Sequence, residues 1–150
     1  MIKAGIIGGA GYTAGELIRL LIHHSKVETD FIFSTSNAGN PISKVHQDLL
    51  GSTDLVFSDA INPEVDVLFL CLGHGESVKF LASNTIAPTI KIIDLSQDFR
   101  LTSTAKQGDR NFVYGLPELN KAAIQSAHNI ANPGCFATAI QLGLLPLAAK

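Results

Sequence analysis

Residues 2–21, "IKAGIIGGAGYTAGELIRLL", decide the fold. An apolar run from Ile2 to Ile7 opens onto glycines, and over 13–24 Leu17, Leu20 and Leu21 recur at helical spacing with Glu16 and Arg19 opposite them. A strand, a glycine turn and an amphipathic helix in that order begin a βαβ unit. The alternation continues. Segments 29–34, 65–72, 90–95 and 129–131 read as strands, several too continuously apolar to have a wet face, and 76–84, 118–127 and 136–145 read as helices. The expected fold is α/β, a doubly wound, mostly parallel sheet of the Rossmann-like NAD(P)-binding kind, formed by residues 1–150 as one domain. Two connections, 36–52 and 97–115, are longer than ordinary βα loops, a length usually found where a loop is functional or disordered.

Composition removes several classes. The chain has 150 residues, 46% of them apolar and 16% charged, enough to bury a sizeable core. A net charge of −2 with scattered Lys and Arg gives no basic stripe, so no nucleic-acid partner is expected. Cys71 and Cys135 form no CxxC pair and have no paired histidines, so neither a disulfide nor a metal site is indicated, and reduced cytoplasm is the expected location. The apolar N-terminus is interrupted by Glu16 and Arg19 and reads as structure rather than a leader. The run "VLFLCL" is far too short to span a bilayer, so no membrane partner is expected.

The glycine turn is the first chemical feature. Gly8 and Gly11 would let the backbone turn and approach a pyrophosphate, whose charge meets free N–H groups at the helix start. The spacing is Gly8-x-x-Gly11-x-x-Ala14, not the usual dinucleotide fingerprint, so a plain strand-helix turn is the alternative. At the end of the second strand an NAD site usually carries an acid, but this chain has Ser34, Thr35 and Ser36 there. Hydroxyls and backbone amides accommodate a 2′-phosphate that a carboxylate would repel, which favours NADPH over NADH.

Three further loops follow strand ends, where ligands of open α/β sheets bind. "FLCLGHGES" presents Gly73, His74 and Gly75, with Cys71 read as a small core residue. "IIDLSQDFR" presents Asp94, Ser96, Asp98 and Arg100, and a guanidinium there suits a phosphate or carboxylate. In "NIANPGCFATA" a short strand and a Pro133-Gly134 turn put Cys135 at the head of a helix, beside Asn132. A helix N-terminus favours the thiolate of a cysteine placed there, which can attack an activated acyl group to give a thioester able to accept hydride.

Taken in order, "GGAGYTAGELIRLL", "FLCLGHGES", "DLSQDFR", "YGLPELN" and "NPGCFATA" resemble the motifs of N-acetyl-γ-glutamyl-phosphate reductases, NADPH-dependent enzymes of arginine biosynthesis, over essentially the whole chain. The resemblance implies reductive dephosphorylation of an N-acyl-γ-glutamyl phosphate to the semialdehyde. Cys135 matches the nucleophile. Gly8, Gly11, Tyr12, Thr13 and Ala14 match the dinucleotide loop, Ser34, Thr35 and Ser36 the segment at the adenosine phosphate, and Gly73, His74 and Ser96 further cofactor contacts. Arg100 and Asn132 are the candidate substrate residues. The family loop more often reads Gly at 14 and Ala at 15, reversed here, and the family often has Tyr-Pro where this chain has Phe136-Ala137. Family members carry a second domain after the nucleophile's helix, with a catalytic histidine, and commonly assemble into homo-oligomers. None of His23, His24, His46, His74 and His128 matches that histidine, and the apolar stretch "FATAIQLGLLPLAAK" needs cover, so the chain is expected to be the cofactor-binding part of a larger enzyme. Two other functions fit the residues: a standalone NADP-binding redox sensor reading Cys135, and a non-phosphorylating aldehyde dehydrogenase.

Overall fold

A computed structural model of the chain describes residues 1–148. The elements, in chain order, are β1 (Ile2–Ile7), α1 (Tyr12–Leu21), β2 (Val27–Phe33), β3 (Phe57–Ser58), β4 (Val67–Leu70), α2 (Glu76–Ser83), β5 (Lys91–Asp94), β6 (Lys106–Gln107), β7 (Arg110–Tyr114), α3 (Pro117–Ser126), β8 (Asn129–Ala131) and α4 (Cys135–Ala148). One eight-stranded sheet runs in the order β3-β2-β1-β4-β5-β8-β7-β6, parallel throughout except for the β6–β7 hairpin. The doubly wound α/β expectation holds. From β1 the chain winds outward one way through β2 and β3 and the other way through β4, β5 and β8, so the direction switches between β1 and β4. Crevices for ligands open at such a switch, beyond the carboxyl ends of the strands.

Strand alternation sends side chains to two cores. On one side Ala4, Ile6 and Ile32 pack with Ala14, Ile18 and Leu21 of α1 and with Ile42, Leu49 and Phe57. On the other, Ile7, Phe31, Leu68, Leu70, Ile92 and Ala131 pack with Ile90, Phe99 and Phe112, and Phe80 and Leu81 of α2 join them. Burying each such side chain contributes roughly 1.5–3 kcal/mol. Cys71 belongs to the first core, as expected of a small apolar residue.

Both long connections are built, not loose. Segment 97–115 holds the β6–β7 hairpin, turned at Gly108 with φ +56°, and Phe112 at its centre stacks on Phe99 at 4.1 Å between ring centroids. Its charged residues, Lys106, Asp109 and Arg110, disguise an edge strand in the sequence. Segment 36–52 winds through short 3₁₀ turns and is pinned to the core by fully buried Ile42 and by Leu49. At the far end, α4 leaves Phe136, Ile140, Leu144 and Leu147 more than half exposed, in line with an apolar helix that needs cover.

Candidate functional site

The glycine turn joins β1 to α1. Gly8 has φ +80°, and a Cβ there would stand 2.4 Å from the carbonyl oxygen of Cys71, so this position requires glycine on both counts. Gly11 differs: it is the N-cap of α1 with an extended backbone at φ −76°, and its hypothetical Cβ would meet only ordinary contacts. Close packing falls instead on Gly9, whose Cβ would overlap Ile32, and on Gly15, whose Cβ would overlap His46. Ala14 is fully buried and belongs to the core, while Tyr12 and Thr13 are exposed. The first intrahelical bond runs from Gly15 N–H to Gly11 O at 3.1 Å, leaving the amides of Tyr12, Thr13 and Ala14 without intrahelical acceptors. That set of amides with the positive helix end can hold an anion at the sheet's switch point.

Beside the turn lies a groove of about 390 Å³ between the ends of β1, β2 and β4 and the flank of α2. Ile7, Gly8, Leu72 and Phe80 supply apolar wall, and Ser34, Thr35 and Lys79 supply polar rim. The Lys79 ammonium pairs with Glu76 at 2.7 Å. Ser34 is largely buried and its hydroxyl accepts from the Asn37 amide at 3.2 Å, whereas Thr35 and Ser36 are exposed. Thus Gly8, Ser34 and Thr35 share one groove as the sequence suggests. Lys79 and Phe80 join them from the second helix, and nothing in the local sequence of α2 marks them out.

The β4 and β5 loops are tied to one another. Asp94 is fully buried; Ser77 of α2 donates to its Oδ1 at 2.5 Å and Ser96 to its Oδ2 at 2.7 Å. Burial pushes the Asp94 carboxyl above its ordinary value, and the two hydroxyls pull against that shift. Asp98 takes the amides of Gly75 at 2.7 Å and Val78 at 3.2 Å, closing the N-terminus of α2. His74 is exposed, and its Nδ1 accepts from the Gln97 amide at 3.2 Å, so the imidazole bridges the two loops. Gly73 sits at the root of this loop. The Ser96 side chain is 1% exposed, donates to Asp94 and accepts from the Asp98 amide, so its hydroxyl ties the β5 loop together.

Arg100 joins two loops. Its Nε donates to Asn132 O at 2.8 Å and its Nη2 to Leu95 O at 2.9 Å, so it fastens the β5 loop to the turn that carries the cysteine. Its Nη1 would lie 2.9 Å from a Cβ on Gly134, which explains glycine in the "NPGC" turn. Asn132 is exposed; its amide donates to Asp94 O at 2.8 Å, and its side chain lines a shallow apolar groove with Thr13, Leu17, Phe69 and Ile93. Cys135 is the exposed first residue of α4, whose opening turn is closed by Thr138 N–H on Gly134 O at 2.9 Å. The helix is held from below by Tyr114, whose hydroxyl donates to Gln141 Oε1 at 3.2 Å. The "YGLPELN" motif is therefore framework: Gly115 packs on Ile130, Leu116 is buried, and Asn120 donates to Tyr114 O at 2.9 Å.

The two cysteines differ sharply. Burial, with the Asp94 charge behind it, pushes the Cys71 thiol up to about 12, so it stays protonated and inert at neutral pH. Native protein treated with iodoacetamide is expected to carry the label on Cys135 and not on Cys71, as read by peptide mass mapping. Comparable labelling of both would show that the first core is open to solvent.

Fold and crevice define a doubly wound α/β domain with a glycine turn after β1 and an exposed cysteine after β8, both beyond the carboxyl ends of parallel strands. The chain belongs to the family described as "Semialdehyde dehydrogenase, NAD binding domain", whose model matches residues 3–127. Among its relatives, an N-acetyl-gamma-glutamyl-phosphate reductase of Flavobacterium johnsoniae is 61% identical over 99% of this chain and 46% of its own length. A reductase of the same name from Bacteroides fragilis is 61% identical over 99% of this chain and 45% of its own length. The chain thus spans about half the length of the curated relatives it matches. Among solved structures, the aspartate semialdehyde dehydrogenase of Candida albicans with NADP superposes with a TM-score of 0.72 at 17% identity, covering 100% of this chain and 47% of that one. Among the described residues, no helix is long and apolar enough to cross a membrane, and no group of three or more His, Cys, Asp or Glu could hold a metal ion.

Proposed function

We propose that residues 1–150 are the dinucleotide-binding, nucleophile-bearing part of an NADPH-dependent N-acetyl-γ-glutamyl-phosphate reductase acting in the cytoplasm in arginine biosynthesis. The observation that carries the reading is the placement of exposed Cys135 at the first turn of α4, beyond the same carboxyl end of the sheet as the Gly8 turn, in a chain 61% identical to reductases of that name. The residues present fit the cofactor. The pyrophosphate would lie on the amides of Tyr12, Thr13 and Ala14, and the adenosine end in the groove between Gly8, Ser34, Thr35 and Phe80, whose rim holds the Lys79–Glu76 pair from α2 and no Asp or Glu from β2.

The chemistry at Cys135 then follows. The thiolate attacks the acyl carbon; a C–S bond forms, the C–O bond to phosphate breaks, and inorganic phosphate leaves with the electron pair. When bound, NADPH supplies a hydride to the thioester carbon. The resulting hemithioacetal alkoxide collapses, the C–S bond breaks, and the aldehyde is released as the sulfur regains its charge. Arg100 holds the Cys135 turn through the Asn132 carbonyl, and its Nη1 is the part of the guanidinium left for the leaving phosphate. The proton-handling histidine and much of the substrate pocket belong to the remainder of the protein, which we also assign the covering of α4 and the assembly into a homo-oligomer.

In the intact protein, N-acetylglutamate semialdehyde with NADP is expected to yield NADPH absorbance only when inorganic phosphate is present, because phosphate must release the thioester. An equal rate without phosphate would make the protein an aldehyde dehydrogenase, and no turnover under any condition would leave a binding module. Fluorescence titration is expected to give NADPH at least about tenfold tighter binding than NADH, a gap of about 1.4 kcal/mol. Equal affinities would remove the assignment of Ser34 and Thr35 to the 2′-phosphate.

A further inference from the structure

The dinucleotide turn is held from behind by a residue outside the glycine motif. His46, 7% exposed, sits between two 3₁₀ turns of segment 36–52, and its Nε2 lies 2.8 Å from the Gly9 carbonyl oxygen. A carbonyl only accepts, so Nε2 carries the proton. The rest of the ring lies against α1: a Cβ on Gly15 would stand 2.6 Å from Nδ1 and 2.8 Å from Cε1. The same segment is fastened twice more, by Ile42 and Leu49 in the core and by Asp48, whose two oxygens take Nε and Nη2 of Arg19. Segment 36–52 is thus a clasp over the first turn of α1, with His46 as the part that reaches the phosphate loop.

We propose that His46 is a positioning residue for the pyrophosphate-binding turn, and that position 15 is glycine so that α1 admits its ring. The inference rests on the dinucleotide reading above. Peptide planarity supplies the mechanism. In a trans peptide the carbonyl of one residue and the N–H of the next point in opposite directions, and the chain has no cis bonds. With Gly9 N–H held by Phe33 O at 2.9 Å and Gly9 C=O held by His46, the peptide between Gly9 and Ala10 cannot rotate. The Ala10 N–H is thereby aimed away from His46, and it has no partner among the described residues. The arrangement also accounts for Ala14-Gly15. The Ala14 methyl fills the core, and the next position must carry no side chain because the imidazole occupies that space.

The test uses the intact protein with NADPH and adenosine 2′-monophosphate as probes, since only the first carries a pyrophosphate. His46→Phe keeps a ring and removes the donor; its NADPH dissociation constant is expected to rise about tenfold, the effect of one lost hydrogen bond at the loop. His46→Gln restores an N–H donor and should return most of that affinity. Adenosine 2′-monophosphate should bind all forms alike, which separates a loss at the pyrophosphate turn from the general fall in stability that a lost buried hydrogen bond brings. Gly15→Ala, whose methyl displaces the ring, should reproduce the loss, and it should add nothing in a His46→Ala background. Unchanged NADPH affinity in His46→Phe, equal loss of both probes, or additive losses in the double variant would each overturn the assignment. If the unsubstituted protein bound neither probe, the dinucleotide reading would fall and this inference with it.

Discussion

Cys135→Ser in the intact protein is expected to abolish phosphate-dependent reduction of NADP, by a factor of about 10³ or more in kcat, while leaving NADPH affinity and melting temperature unchanged. The first half of that expectation follows from chemistry. Serine differs by one atom, but its hydroxyl is a far weaker nucleophile at neutral pH, and an oxygen ester accepts hydride less readily than a thioester. The second half follows from place. The Cys135 side chain is exposed, packs in neither core, and lies on the opposite side of β4 and β5 from the Gly8 turn. A separation of the two readouts is what distinguishes a nucleophile from a framework residue. Loss of activity accompanied by loss of stability would mean that residue 135 shapes its turn, and activity surviving at a tenth or more of the parent's rate would remove the covalent mechanism.

Much of this fold is legible in the sequence because its signals are local. Continuous apolar runs set β1, β4 and β5 to within two residues at each end, and the glycine turn with the pattern Leu17, Leu20, Leu21 sets α1. Position 135 is legible for the same reason, since Pro133-Gly134 and the helix after it are neighbours in the chain. What escaped was decided by partners distant in sequence. Strand β7, next to the edge, carries Arg110, which reads as loop, yet that guanidinium is held by the carbonyls of Ile86, Ala87 and Ile90 and by Asn129 Oδ1. His46 and Gly15 lie 31 positions apart, and no local pattern in the sequence couples them.

The glycine motif itself allows the sharpest separation of stability from binding. Gly8→Ala is expected to destabilise the protein by about 2–4 kcal/mol and to lower its melting temperature by roughly 10 °C. The reason is twofold: φ +80° strains any residue with a Cβ, and that Cβ would press into the Cys71 backbone, which cannot turn aside as a side chain could. Gly11→Ala should behave differently. Its backbone is extended, the added methyl would meet Gly8 O at 3.4 Å and Cys71 O at 3.8 Å, and stability should change by less than about 1 kcal/mol. Yet Gly11 is the N-cap of α1, and under the proposed function a methyl there would crowd a pyrophosphate bound at the helix start, so NADPH affinity should fall by about tenfold or more. Thermal denaturation and fluorescence titration of the two variants read the two quantities independently. The expectation is that Gly8 serves the fold and Gly11 the ligand; equal destabilisation by both substitutions would show that Gly11 too is needed for the fold, and Gly11→Ala binding NADPH as tightly as the parent would show that the ligand does not come to this turn.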